Sequence, residues 1–288
     1  MTSEFVHLHN HSDYSLLDGA QTVQTLVNTV DDLGMDSVAL TEHGNMFSVI
    51  PYYKSAKSAG IKPIIGCETY VAVGSRFDKK PRSDGGWGNN HLVLLAKDYK
   101  GYQNLMKLVT HGYLEGFYYR PRIDIELLQK YNEGLICLSG CLKGEIPERM
   151  LKDDWNGAKE AALRFSEIFP DRFYLEIQNH GIPDEEQNIK NIKKLSSELD
   201  IPMVCTNDAH YAKHEHWEAH DVHICLGTGK DRNDPNRLRY ATPEFYFKSQ
   251  DQMFELFKDI PGAIENTRKI ADSIEIEIPM GDYLSLIH

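Results

Sequence analysis

Residues 57–66 read Lys-Ser-Ala-Gly-Ile-Lys-Pro-Ile-Ile-Gly (KSAGIKPIIG), and the same order of signals occurs at residues 31–40 (DDLGMDSVAL). In each stretch a helix-like segment ends at a glycine, which tolerates the left-handed conformation of a helix C-terminus, and an apolar strand follows. Outward from these two stretches, the same alternation of strand and helix runs along the 288-residue chain. The sequence therefore predicts a parallel sheet covered by helices.

The alternation also sets the bounds of the predicted elements. We place strands at residues 5–9, 37–41, 63–71, 91–96, 134–139, 173–178 and 202–206. We place helices at residues 22–33, 46–59, 101–112, 156–169, 184–199 and 215–225, with one more after residue 260. At this length a closed β/α barrel is favoured over an open doubly wound sheet, and the first strand lacks the Gly-x-Gly-x-x-Gly of dinucleotide-binding folds.

The chain is acidic, because 31 Lys and Arg residues stand against 43 Asp and Glu residues and give a net charge of −12. Phosphate contacts depend on basic surface, so a nucleic-acid substrate would need a local basic channel or a basic partner domain. Five cysteines at irregular spacings favour reduced thiols and a cytoplasmic location. We expect no association with a membrane, because the sequence has no apolar run of about 18 residues.

Three alternating histidines, His7, His9 and His11, lie in the stretch HLHNHSDYSLLDG at residues 7–19. Alternate residues of a strand share a face, so these imidazoles are expected to lie close together. Burying several imidazoles without partners is costly, and a metal ion removes that cost. We therefore predict a metal site for His9 and His11, with His7 supporting it through a hydrogen bond to a ligand.

Metal-binding residue types also follow the ends of most other predicted strands, where the chemistry of β/α barrels gathers. With the first pair, nine candidates result: His9, His11, Asp18, His43, Glu68, His91, Cys141, Asp208 and His210. Nine ligands exceed the four of one structural zinc ion and fit two or three divalent ions. Imidazoles and carboxylates suit zinc, manganese or iron, and the lone Cys141 favours zinc. Sites with several ions are a usual arrangement for hydrolysing phosphate esters.

Two arginines, Arg120 and Arg122 in YYRPRID, are candidates for holding a substrate phosphate near the metals. The alternative is an ion pair with the nearby Asp124 or Glu126. We favour the phosphate role for at least one of the two arginines.

A second histidine cluster lies in KHEHWEAHDVHICLG, and its members are His214, His216, His220 and His223. No carboxylate is obviously placed to complete a site there, so we expect surface or packing roles rather than a second metal site. The glycine-rich loop 74–90, which contains Trp87, is either a flap over the site or an inert surface excursion.

The motifs HLHNHSDYSLLDG, TEHGNM, AGIKPIIGCETYVA, SGC and TNDAHY together resemble the PHP (polymerase and histidinol phosphatase) family. GYQNLMKLVT, FYYRPRID, FYLEIQNHG and ATPEFYFKS extend the resemblance to one branch, the N-terminal PHP domains of bacterial DNA polymerase III α subunits. The resemblance implies a distorted (β/α)7 TIM-like barrel with a metal site at the C-terminal end of the strands. We expect residues 1–280 to form this single domain and residues 281–288 to form a tail, whose native origin stays open.

The resemblance also implies how the candidate ligands are shared. It assigns a first ion to His9, His11, Glu68 and Asp208, a second to Glu68 as a bridge with His91 and Cys141, and a third to Asp18, His43 and His210. The implied activity is 3′→5′ exonuclease proofreading, the hydrolysis of phosphodiesters at the 3′ end of single-stranded DNA or a primer terminus.

The implied partners are DNA, the polymerase core domains of a full-length subunit and a separate proofreading subunit. This chain has no candidate polymerase carboxylates in a following domain, so it is expected to be an excised domain or a stand-alone relative. Two alternatives stay open. The first is a small-molecule phosphomonoesterase resembling histidinol phosphatase, which the net charge favours. The second is a metal-stabilised, non-catalytic scaffold that docks a proofreading subunit.

Overall fold

Seven strands form the sheet in a computed structural model of the protein that describes residues 4–81 and 88–281. The strands are β1 Ser37–Leu40, β2 Lys62–Ala72, β3 Asn89–Ala96, β4 Arg122–Ile123, β5 Leu135–Leu138, β6 Phe173–Ile177 and β7 Met203–Cys205. The helices are α1 Val23–Asp32, α2 Val49–Ser58, α3 Tyr99–Leu114, α4 Ile125–Tyr131, α5 Glu145–Leu151, α6 Trp155–Ile168, α7 Pro183–Leu199, α8 Trp217–Thr228, α9 Gln250–Leu256 and α10 Pro261–Ser273. Trp87 of the predicted flap and nearly all of the predicted tail lie outside the described residues.

The predicted alternation of strands and helices is confirmed. The strand order is β1-β2-β3-β5-β6-β7, with the short β4 pairing with β2. β1 and β5 are buried along their whole length, as expected for strands covered on both faces. Gly34 and Gly60, which follow α1 and α2, both have positive φ, as the two opening stretches predict. No helix in the described part of the chain is long and apolar enough to cross a membrane.

The sheet is mixed rather than wholly parallel, because β3 runs antiparallel to both β2 and β5. A parallel neighbour needs a crossover connection, usually a helix, and no helix lies between β2 and β3 in the described residues. The reversal has a consequence for the site. Tyr70, near the C-terminal end of β2, pairs with His91, near the N-terminal end of β3. His91 therefore reaches the same edge of the sheet as the C-terminal ends of the parallel strands.

The opening segment, predicted as a strand over 5–9, is extended but does not form a regular ladder. The backbone carbonyl of His7 accepts a hydrogen bond from the Ala39 N–H of β1, and the His11 N–H donates to the Ala209 carbonyl just beyond β7. The side chain of Asn10 donates to the carbonyls of His7 and Ala39, where a regular strand would use backbone bonds. The segment thus joins the two ends of the strand order and closes the sheet into a distorted barrel.

Candidate metal centre

The C-terminal edge of the barrel gathers the nine candidate ligands predicted from the sequence. Most of the ligands come from segments at strand ends, and Glu68 lies within β2, so residues far apart in the chain share one buried volume. The opening segment brings His9, His11 and Asp18; the region from β1 to β3 brings His43, Glu68 and His91; and the residues after β5 and β7 bring Cys141, Asp208 and His210. Within this volume, the ligand atoms fall into three groups that could each hold an ion.

The first group consists of His9, His11 and Asp208. The Oδ1 of Asp208 lies 3.4 Å from the Nε2 of His9 and 3.1 Å from the Nε2 of His11. These three atoms are buried and have no hydrogen-bond partner among the described residues. Polar atoms seldom converge in this way without a shared partner, because an unpaired buried group costs about 1–3 kcal/mol. The arrangement fits a divalent cation.

The second group consists of Glu68, His91 and Cys141. The Glu68 carboxylate lies 2.7 Å from the Nδ1 of His91, and the Cys141 Sγ lies 3.8 Å from the same nitrogen. Burial and the nearby Glu68 raise the pKa of the Cys141 thiol well above its ordinary value. A positive ion at this position would favour the thiolate instead, and a thiolate with an imidazole and a carboxylate is a donor set suited to zinc.

The third group consists of His11, His43 and His210, and the carboxylate of Asp18 lies beside it. The Nε2 of His43 lies 3.2 Å from one Asp18 oxygen, and the Nε2 of His210 lies 4.0 Å from the other. The His11 ring stacks between the rings of His43 and His210, with centroids 3.9 Å and 4.4 Å away. His11 therefore belongs to both the first and the third group.

Hydrogen bonds outside the three groups orient the imidazoles. The Nδ1–H of His9 donates to the Glu176 carboxylate at 2.7 Å, and the Nδ1–H of His11 donates to the Ser15 hydroxyl at 3.0 Å. Ser15 in turn donates to Glu42. Both histidines therefore present an Nε2 lone pair to the centre, the arrangement that supports metal-ligating histidines in general.

The roles of Glu176, Ser15 and Glu42 are absent from the sequence-based prediction. Glu176 lies inside β6 in the apolar run FYLEIQ and is almost completely buried. A charged residue within a buried strand was the available signal, since such residues are seldom buried unless they are paired.

The electrostatics of the centre favour cation binding. His91 and His43 outweigh the effect of burial and hold the pKa of Glu68 well below 4.5. In the same way, His9 and His210 hold the pKa of Asp208 below its ordinary value. Burial and the neighbouring imidazoles lower the pKa of His11 to about 3, so its ring is neutral and able to donate a lone pair.

His7 does not support a ligand in the predicted way. Its Nε2–H donates to the backbone carbonyl of Lys248 at 2.9 Å, and its ring packs edge-on against Phe5 and Phe247. Burial lowers the pKa of His7 to about 4, so the ring is neutral. The extended segment is irregular, and the side chain of His7 turns toward the core instead of the centre. The supporting role predicted for His7 falls to Glu176.

The two candidate arginines have different surroundings. Arg122 is buried and donates to the backbone carbonyls of Gly116, Arg76 and Asp78, which corrects the prediction that it contacts phosphate. The ion pair with Asp124 is made by Arg76 rather than by Arg122. These bonds leave the Arg122 guanidinium no room for a substrate.

Arg120 differs from Arg122 in being half-buried and close to the centre. Its guanidinium lies 5.5 Å from the centroid of the Tyr70 ring, and that ring packs edge-on against His91. No carboxylate pairs with Arg120 in the parts of the chain that the structure describes. Its charge is thus available beside the second group.

The second histidine cluster does not form a metal site in the described residues. His214 and His216 lie in a short 3₁₀ turn before α8, and neither is buried. His220 is buried, and its Nε2–H donates to the backbone carbonyl of Asp18 at 2.8 Å. Sequence reasoning assigned these histidines surface or packing roles, and His220 adds a hydrogen bond that fixes the backbone of a candidate ligand.

The fold and the site together define a β/α barrel with a candidate metal centre at the C-terminal ends of its strands. The family model described as "PHP domain" matches residues 7–180, and the chain belongs to this family. Asp208 and His210 lie beyond the matched residues, so the tertiary structure brings them to the centre.

Comparisons with known proteins extend this result. The chain is 50% identical over 273 residues to the DNA polymerase III subunit alpha of Borreliella burgdorferi, covering 95% of this chain and 24% of that protein. It is 47% identical over 276 residues to the same subunit of Treponema pallidum, covering 96% of this chain and 24% of that protein. The chain thus spans about a quarter of the length of these relatives.

Similarity to solved structures is weaker. A two-domain protein from Bacteroides vulgatus, described as containing a predicted PHP-like metal-dependent phosphoesterase, aligns with a TM-score of 0.44 at 15% identity. The alignment covers 72% of this chain and 52% of that protein.

Proposed function

We propose that this chain is the PHP domain of a replicative DNA polymerase α subunit and that it removes nucleotides from the 3′ end of DNA by hydrolysing phosphodiesters. The observation that carries the proposal is the convergence of His9 Nε2, His11 Nε2 and Asp208 Oδ1, all buried and without hydrogen-bond partners in the described residues. The assignment to a polymerase subunit rests on the similar proteins, which are DNA polymerase III α subunits.

We assign two or three divalent ions to the centre, with zinc favoured over manganese or iron because of Cys141. When bound, such ions activate water and neutralise charge on the phosphoryl and leaving oxygens. Glu68 is the natural bridge, because its Oε1 lies 2.7 Å from His91 and 3.5 Å from His9. Its Oε2 contacts His43 of the third group. One buried carboxylate thereby contacts a histidine of each of the three groups.

The substrate contact that we assign is Arg120. Its guanidinium, which pairs with no carboxylate among residues 4–81 and 88–281, would hold a phosphate oxygen of the DNA strand beside Tyr70 and His91, next to the second group. Because the chain carries a net charge of −12, we expect DNA affinity of the domain to be weak and to fall steeply with salt. The remaining polymerase domains, or a separate proofreading subunit, would supply further binding surface.

The decisive experiment is a gel assay on a 5′-labelled single-stranded oligonucleotide with protein loaded with Zn²⁺, Mn²⁺ or Mg²⁺. We expect a ladder that shortens from the 3′ end. A chromogenic phosphomonoester is assayed in parallel, and preferential hydrolysis of that compound would favour the small-molecule phosphatase. Protein shown to contain two or three ions that cleaves neither substrate would indicate the scaffold, in which the ions only stabilise the barrel.

Arg120→Ala and Arg122→Ala are expected to affect different properties, the first DNA binding and the second stability. Arg120→Ala should weaken oligonucleotide binding and reduce the slope of log affinity against log salt by about 1, because one phosphate contact is lost. Arg122→Ala should lower the free energy of unfolding by about 3 kcal/mol, because two buried carbonyls and one part-buried carbonyl lose their donor. Fluorescence anisotropy and urea unfolding measure the two effects, and a salt slope that changes only in Arg122→Ala would refute the assignment.

Glu176→Gln is expected to lower the affinity of the first group for Zn²⁺ by about 10- to 100-fold, because the carboxylate that orients His9 loses its charge. Titration against a chromophoric chelator measures the affinity. The matched control is Glu185→Gln, which removes the charge from another buried glutamate paired with a histidine, His180, outside the centre. Equal losses in both variants would mean that Glu176 acts through general stability alone.

A further inference from the structure

Tyr240 points its hydroxyl into the third ligand group. The residue lies in the segment between α8 and α9, which contributes none of the predicted ligands. Its hydroxyl is 2.9 Å from the Nε2 of His210 and 3.4 Å from an Asp18 oxygen. This phenol therefore touches two of the three residues proposed to hold the third ion.

The direction of the hydrogen bond follows from the tautomer of His210. The Nδ1 of His210 lies 2.7 Å from the backbone carbonyl of Asp208, and only an Nδ1–H can donate to that oxygen. The Nε2 of the neutral ring is then an acceptor, so Tyr240 donates its hydroxyl proton to it. The lone pair that Tyr240 engages is the one that an ion would need from His210.

The two imidazoles of the first group differ from His210 in this respect. The Nε2 atoms of His9 and His11 have no hydrogen-bond partner among the described residues. An ion can bind to them without breaking a hydrogen bond. An ion that binds to His210 must first displace the hydroxyl of Tyr240.

Packing restricts movement of the Tyr240 ring away from the third ligand group. The ring packs edge-on against His220, with centroids 4.8 Å apart, and against Phe245, with centroids 4.5 Å apart. The displaced hydroxyl therefore stays close to the centre. Asp18 offers it the nearest alternative acceptor, at an oxygen only 3.4 Å away in the present arrangement.

We propose that the Tyr240 hydroxyl competes with the third ion for His210, so that the ion at Asp18, His43 and His210 is the last and the weakest to bind. When that ion binds, the hydroxyl exchanges its bond to His210 for one to Asp18. The proposal rests on the proposed function only in requiring that the three groups bind divalent ions. Occupancy of the third site then depends on the concentration of the ion, at concentrations where the first two sites stay filled.

The test is a Zn²⁺ titration of the wild-type protein and Tyr240→Phe against a chromophoric chelator, with bound zinc counted by mass spectrometry. Phenylalanine keeps the ring packing and removes the competing hydroxyl. We expect the last ion to bind about two- to tenfold more tightly in Tyr240→Phe, the range that corresponds to one net hydrogen bond, with the tighter ions unchanged. The control is Tyr211→Phe, whose ring packs against the same His220.

An unchanged or weaker affinity for the last ion in Tyr240→Phe would overturn the proposal, and so would an equal gain in Tyr211→Phe. The titration needs no substrate, so it is independent of the nuclease assay. Fully loaded protein that does not cleave DNA would refute the proposed nuclease alone. Protein that binds no ion at all would refute both.

Discussion

Asp208→Asn is expected to lower the rate of DNA hydrolysis by about a hundredfold or more and to lower the zinc content of the protein. Loss of a residue that only orients a ligand costs about 10- to 100-fold, and loss of a ligand should cost more. Asp208 is the only carboxylate of the first group, and its Oδ1 faces both His9 and His11. The amide that replaces it is neutral and offers a weaker oxygen ligand.

Asparagine is the appropriate substitution because Asp208 has a φ of 45°, in the left-handed region. Asparagine tolerates this region better than most residues, so the backbone of the loop should be retained. The matched control is Asp13→Asn, the same change at an exposed position in the opening segment. Steady-state cleavage rates and zinc counts of both variants test the prediction. Wild-type activity in an Asp208→Asn protein that has lost zinc would show that the centre does not perform the reaction.

Removal of the ions by a chelator is expected to lower the melting temperature by about 10 °C. A ligand present at about a thousand times its Kd stabilises the folded state by about 4 kcal/mol, and 1 kcal/mol corresponds to about 2–4 °C in a domain of this size class. Among the described residues, His9 Nε2, His11 Nε2, Asp18 Oδ1 and Asp208 Oδ1 are buried without a hydrogen-bond partner. Without ions, the carboxylates of Glu68 and Asp208 and the imidazoles around them remain packed together and incompletely hydrogen-bonded.

Differential scanning calorimetry with and without EDTA measures this shift, and re-addition of Zn²⁺ should restore the original melting temperature. Asp208→Asn provides an internal control, because it should melt at a lower temperature and respond less to the chelator. An unchanged melting temperature after EDTA treatment that demonstrably strips two or three ions would contradict the prediction. The ions would then contribute nothing to the stability of the barrel.

Local patterns were sufficient to predict six of the seven strands and seven of the ten α-helices of the described residues, without β4, α4, α5 and α9, and the edge at which the candidate ligands meet. Period-two apolar runs and helix-ending glycines depend on neighbouring residues, so they can be recognised without knowledge of the fold. The position of His43, Cys141 and Asp208 just after predicted strands is also a local property. The rule that strand ends meet at one edge of a barrel converts these positions into proximity.

The antiparallel direction of β3 could not be predicted from local patterns. The apolar run that contains His91 predicts a strand equally well in either direction, because alternation has no polarity. Only the pairing of Tyr70 with His91 in the folded sheet reveals that the start of β3 lies at the C-terminal edge. Sequence reasoning included His91 among the ligands but placed it in a parallel sheet.

The sequence by itself determined the alternation of strands and helices and the set of nine candidate ligands, because these depend on residue type and on spacing within single segments. The tertiary structure alone decided which polar neighbours surround that set. Glu176 rather than His7 lies beside the ligands, Arg122 binds backbone carbonyls, and Tyr240 contacts His210. Each of these choices depends on a contact between distant segments, such as the 167 residues that separate His9 from Glu176. Spacing within one segment carries no information about such a contact, since it arises only when the barrel closes.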